Sequence, residues 1–100
     1  MKTFEELPTD LFQNGFDTND KTPLSKERVQ KVADWISTRF EKSTRLYKID
    51  SSYSIKHIVE KNMGEYIANG ELIAAMILIG FKYQRIPASP NVYFYVKNKF

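Results

Sequence analysis

Leu72-Ile73-Ala74-Ala75-Met76-Ile77-Leu78-Ile79 is the longest apolar run in the chain, and the fold turns on whether it winds as a helix or pairs as a strand. Its three isoleucines would suit a buried strand. Ala74, Ala75 and Met76 argue for helix, and so do the flanks: Asn69 is a capping residue, Glu71 suits the positive end of a helix dipole, and Gly80 suits the position after a last turn. The spacing predicts a helix of about three turns. Because it is apolar all round, it must be covered on most sides, either by its own domain or by a partner. At eight residues the run is far short of the ~18 needed for a membrane span.

Upstream, Gly64 to Asn69 is short enough to be only the turn between two helices. Before it, Tyr53 to Met63 places Ile55, Ile58, Val59 and Met63 on one side and Lys56, Glu60 and Lys61 on the other. Arg45-Leu46-Tyr47-Lys48-Ile49 alternates polar and apolar and reads as a short strand. A first amphipathic helix runs from a cap at Ser25 to about Lys42, burying Val29, Val32, Ala33, Ile36 and Phe40. Residues 1–24, with Pro8, Asn14, Gly15 and scattered Phe and Leu, read as an irregular N-terminal arm that lays its aromatics on a domain formed by residues 25–100. Downstream, Phe81 to Ile86 and Val92 to Lys97 alternate around the turn-forming Pro87-Ala88-Ser89-Pro90-Asn91, which predicts a β-hairpin.

A chain of 100 residues without cysteine is one domain held by its own core, with no disulfide framework, no thiol nucleophile and no thiolate metal site. The single histidine, His57, removes an all-histidine metal site as well, so no metal or cofactor is expected. Charge is unevenly placed. Residues 1–25 hold two lysines against Glu5, Glu6, Asp10, Asp17 and Asp20, whereas residues 26–100 hold thirteen Lys and Arg against seven acids. The body is therefore basic enough to attract a polyanion. No early stretch has the pattern of a secretory signal, which makes the expected location cytoplasmic, away from membranes.

The series helix, strand, helix, tight turn, helix, hairpin is the element order of an α+β, winged helix-turn-helix-like domain, with three helices, a short strand and a C-terminal β-hairpin. Ser52-Tyr53-Ser54-Ile55-Lys56-His57 with Glu60, then Tyr66-Ile67-Ala68-Asn69-Gly70-Glu71-Leu72-Ile73-Ala74-Ala75, then Gly80-Phe81 and Pro90-Asn91, resembles small uncharacterised proteins of phage and plasmid type over residues 50–97. The resemblance implies a shared architecture and a phage or mobile-element setting, without an assigned activity.

A catalytic reading would use His57 oriented by Glu60, with Ser52 or Ser54 as nucleophile, but residues three apart on a helix are commonly a surface pair, and the chain is expected to be non-catalytic. Asn69-Gly70 lacks the glycine-rich loop of a nucleotide site. For nucleic acid, the third helix offers no Lys, Arg or Gln to base edges. The expected contacts with DNA or RNA are instead a cationic rim of Lys56, Lys61, Lys82, Arg85, Lys97 and Lys99, with Tyr83, Tyr93 and Tyr95 either stacking on unpaired bases or packing within the sheet. This describes an accessory or regulatory factor that grips phosphates with little sequence preference. The alternative is a homodimer or adaptor module whose partner surface is the third helix, through Ala74, Met76 and Ile77.

Overall fold

Ser25 opens the first helix, α1 (Lys26–Ser37), by accepting a hydrogen bond from the Arg28 N–H, and Val29, Val32, Ala33 and Ile36 form its buried stripe. In the structure, a computed structural model that describes residues 2–97, α1 stops before the expected Lys42. The N–H groups of Arg39 and Phe40 both donate to the Ile36 carbonyl, closing the last turn, and Lys42 is recruited instead into a strand paired with Val96. The later helices are α2 (Ser52–Met63), ending at Gly64, and α3 (Asn69–Ile79), ending at Gly80. The apolar octet is a helix.

Five strands complete the α+β domain: β1 (Leu11–Phe12), β2 (Gly15–Phe16), β3 (Lys42–Tyr47), β4 (Tyr83–Arg85) and β5 (Val92–Val96). The strand before α2 thus begins earlier than the expected Arg45 and stops at Tyr47. β1 and β2 form a two-stranded sheet. The other three form an antiparallel sheet in the order β3-β5-β4, with an irregular register between Lys42 and Tyr47 where β3 departs from β5. Val92, Phe94 and Val96 alternate inward from β5 onto the helices, leaving Tyr93 and Tyr95 half-buried on the other face.

α3 lies at the centre, packed by α1, α2 and the β1–β2 hairpin, and Leu72 through Met76 are fully buried. Each large aliphatic side chain removed from water in this way contributes about 1.5–3 kcal/mol. The coverage overturns one expectation. Ala74 and Met76 are sealed in the core and Ile77 is only 4% exposed, so this helix presents no partner surface.

Part of the cover comes from the N-terminal segment, which has more structure than an irregular arm. Phe4–Glu6 is a single 3-10 turn, Leu11 and Phe12 pair with Phe16 and Gly15, and Leu7, Leu11 and Phe16 join the main core. The seam with α3 is made of backbone. Gly70 N–H donates to Gln13 O at 2.8 Å, and a Cβ on Gly70 would lie 1.8 Å from the Phe12 carbonyl oxygen. Only a residue without a side chain allows that approach.

Candidate nucleic-acid interface

The six cations expected to form a rim have different surroundings. Lys56 is buried: its ammonium is 2.8 Å from Glu60 Oε1 and lies over the rings of Tyr66 and Tyr53, at 4.5 and 5.5 Å from their centroids. It is a structural ion and is not offered to phosphate. Arg85 is exposed, but its guanidinium bridges Asp10 and Asp17 of the N-terminal segment and stacks 4.1 Å from the Phe16 ring centroid, so the acidic segment neutralises the charge the rim would need. Lys97 pairs with Glu41 at 3.2 Å. Lys99 lies outside the described residues. Lys61, in the last turn of α2, and Lys82, just before β4, are exposed and make no ion pair among the described residues.

The three tyrosines divide between the two faces of the sheet. Tyr83 is opposite Phe94 on the inner face, where its ring stacks on Phe16 with centroids 5.9 Å apart, and burial raises its hydroxyl pKa. Gln84 is opposite Tyr93 on the outer face, and the Tyr95 N–H donates to the Lys82 carbonyl, making Tyr95 and Lys82 direct cross-strand neighbours there. Two half-buried tyrosines and a lysine without an ion-pair partner among the described residues therefore share the outer sheet face.

Beside this face, where β3 leaves β5 and α3 ends, an open cleft of about 760 Å³ is lined by Lys2, Lys42, Lys82, Ser43, Thr44, Tyr83 and Tyr95, with Ile77, Gly80 and Phe81 beneath. Among the described residues no carboxylate lines it. Lys2 and Lys42 were not among the expected contacts. Lys42 reads in sequence as the end of a helix, and Lys2 belongs to a segment whose net charge is negative.

Another, smaller cleft gathers much of the sequence pattern that carries the resemblance: Tyr53, Lys56, His57, Tyr66, Asn69, Pro90 and Asn91, with Asn14. Its polar groups are mostly used internally. Glu60 Oε1 also accepts the Ile67 N–H, and Glu60 Oε2 is 3.2 Å from His57 Nδ1. Burial pushes the Glu60 carboxyl up, but hydrogen bonds from Lys56 and the Ile67 N–H, together with the Lys56 charge, outweigh it and hold the pKa below its ordinary value. Asn69 is not the cap of α3. The cap is Ala68, and Asn69 Nδ2 instead ties Asn14 O to Asn91 Oδ1 while its own Oδ1 is buried without a partner among the described residues. Ser52 is fully buried, and its hydroxyl oxygen accepts the Val92 N–H at 3.1 Å, which ties α2 to β5 and leaves it unsuited to act as a nucleophile. Among the described residues no three His, Asp or Glu side chains cluster as metal ligands, and no helix is long and apolar enough to cross a membrane.

Compared with family models, curated proteins and solved structures, the chain matches none. The functional reading therefore rests on the geometry of the site.

Proposed function

We propose that this protein is a non-catalytic, nucleic-acid-associated accessory factor built on a winged-helix-like scaffold, which binds single-stranded nucleic acid on the outer face of its C-terminal sheet. The scaffold reading is supported by the element order and by the β3-β5-β4 strand order, in which the strand before α2 joins the terminal hairpin. Fold does not determine function, so the weight falls on the site. Burial of α3 takes away the helix that such scaffolds commonly insert into a major groove.

The observation that carries the proposal is the placement of Tyr95 directly opposite Lys82, with Tyr93 and Gln84 in the next outward row, beside a lysine-lined cleft to which no described carboxylate contributes. Tyrosine faces accept any base, and ammonium groups accept any phosphate. Such a surface binds single strands with little sequence preference and strong salt dependence. A fluorescence-anisotropy titration of labelled single-stranded and duplex oligonucleotides at low and physiological salt tests it. Single strands should bind more tightly than duplex, Lys82→Ala and Tyr95→Leu should each weaken binding, and Arg85→Ala should leave it nearly unchanged. Equal affinity for duplex, or indifference to both Lys82→Ala and Tyr95→Leu, would refute the proposal.

A further inference from the structure

The cleft beside the sheet is lined by three lysines from three parts of the chain: Lys2 from the N-terminal segment, Lys42 from the start of β3, and Lys82 from the link between α3 and β4. None of their ammonium groups makes a hydrogen bond or an ion pair with a described residue. Lys2 lies within electrostatic reach of the Glu6 carboxylate and Lys42 Nζ lies 6.0 Å from the Phe81 ring centroid, but neither contact is a hydrogen-bonded ion pair, and like charges along one concave site favour an anion there.

Capping of α3 does not explain Lys42. Of the four carbonyls that the helix end leaves open, three are already used: Met76 O accepts from Gly80 and Phe81 N–H, Ile77 O from Gly80 N–H, and Leu78 O from Lys2 N–H; Lys42 Nζ makes no hydrogen bond to the fourth, on Ile79. Gly80 makes room for the ammonium, since a Cβ at that position would be 3.1 Å from Lys42 Nζ, and its φ of +101° is itself one that glycine tolerates best. The hydroxyl of Ser43 accepts the Arg45 N–H through its oxygen and so keeps its own proton to donate, and Thr44 lines the same wall.

We infer that this cleft is a binding site for a phosphate group, held by the ammonium groups of Lys2, Lys42 and Lys82 and by the Ser43 and Thr44 hydroxyls. Every polar side chain on that wall can donate, as the several acceptor oxygens of phosphate require. Tyr95 at the rim places a stacking surface next to the phosphate position, which fits a phosphate belonging to a nucleotide. The inference deepens the single-strand reading and rests on it only for the source of the phosphate, which is either the terminal or internal phosphate of a strand or a free nucleotide.

The test is NMR titration of the full chain at low salt with inorganic pyrophosphate, with a mononucleotide, and with a short oligonucleotide carrying either a 5′-phosphate or a 5′-hydroxyl. Pyrophosphate should shift the amides of residues 42–44 and 80–82, and Lys42→Gln combined with Lys82→Gln should weaken it by at least about tenfold. A gain in affinity from the 5′-phosphate would place a strand end in the cleft, and equal affinity of the two oligonucleotides an internal phosphate. Saturable mononucleotide binding with no oligonucleotide binding would retain the phosphate site while refuting the sheet-face reading. Absence of pyrophosphate binding, or shifts away from the cleft, would overturn the inference. The wild-type shift map separates these outcomes even if the double variant fails to fold.

Discussion

Removing the Glu71 carboxylate should destabilise the protein by about 3 kcal/mol, although this residue reads in sequence as an ordinary first-turn acid. Its side chain is 1% exposed; Oε1 accepts the Ala68 N–H at 2.9 Å and Oε2 accepts Arg28 Nε at 3.0 Å. Arg28 also donates through Nη2 to the Tyr66 carbonyl, so a single ion pair fastens α1 to the turn between α2 and α3. In Glu71→Ala the Ala68 N–H, on a residue 1% exposed, loses its acceptor, at a cost of about 1–3 kcal/mol. Arg28 loses a charge-assisted bond, but its side chain is 40% exposed and can turn to water, so that loss falls at the low end of about 1.5–3 kcal/mol. The sum is about 3 kcal/mol, or roughly 15 °C in Tm for a domain of this size. Glu71→Gln keeps an acceptor for Ala68 and should cost about half as much. Urea denaturation of the two variants, with a double-mutant cycle through Arg28→Ala, measures each part. A cost below about 1 kcal/mol for Glu71→Ala, or no coupling to Arg28, would refute the reasoning.

Two further predictions concern other joints of the fold. Glu60 has a folded pKa below its ordinary value of 4.5, so the stability it contributes is complete above that value and is lost as pH falls through the depressed folded value; the difference in urea midpoint between wild type and Glu60→Gln should be largest near neutrality and shrink below pH 4.5, and a constant difference would contradict the assignment. Gly70→Ala forces a methyl group against the Phe12 and Gln13 carbonyls, so a Tm measurement should show a loss of at least about 2 kcal/mol, and an unchanged Tm would mean that the N-terminal hairpin does not pack on α3 as described.

What was legible in the sequence was local. Ala74, Ala75 and Met76 before Gly80 specify a helix from neighbouring residues alone, although Asn69 is not its cap, and the turn-forming run Pro87 to Asn91 marks the hairpin in the same way. The N-terminal hairpin was not legible because its strands are two residues each and their stability comes from distant partners: Gly70 across from Gln13, Pro90 accepting the Phe16 N–H, and Arg85 between Asp10 and Asp17. The end of α1 was hidden for a related reason, since Lys42 continues the helical pattern in sequence but pairs with the distant Val96. The site suffered most. Whether a lysine is a surface charge or a buried ion depends on its neighbours in space, and Lys56 is enclosed by Tyr66 and Glu60 whereas Lys2 and Lys42 share an open cleft. For the tyrosines, which the sequence does not tell apart, the pairing of Tyr83 with Phe94 sets Tyr83 on the inner face while Tyr93 and Tyr95 alternate outward from β5.

The claim that the outer sheet face is the working surface is tested most directly by mapping amide shifts as an unstructured single-stranded oligonucleotide is titrated into the labelled protein at low salt. The account predicts saturable perturbations centred on Lys82, Gln84, Tyr93 and Tyr95 that fade as salt is raised. No perturbation, or perturbations confined to the exposed face of α2 around Tyr53 and His57, would contradict it.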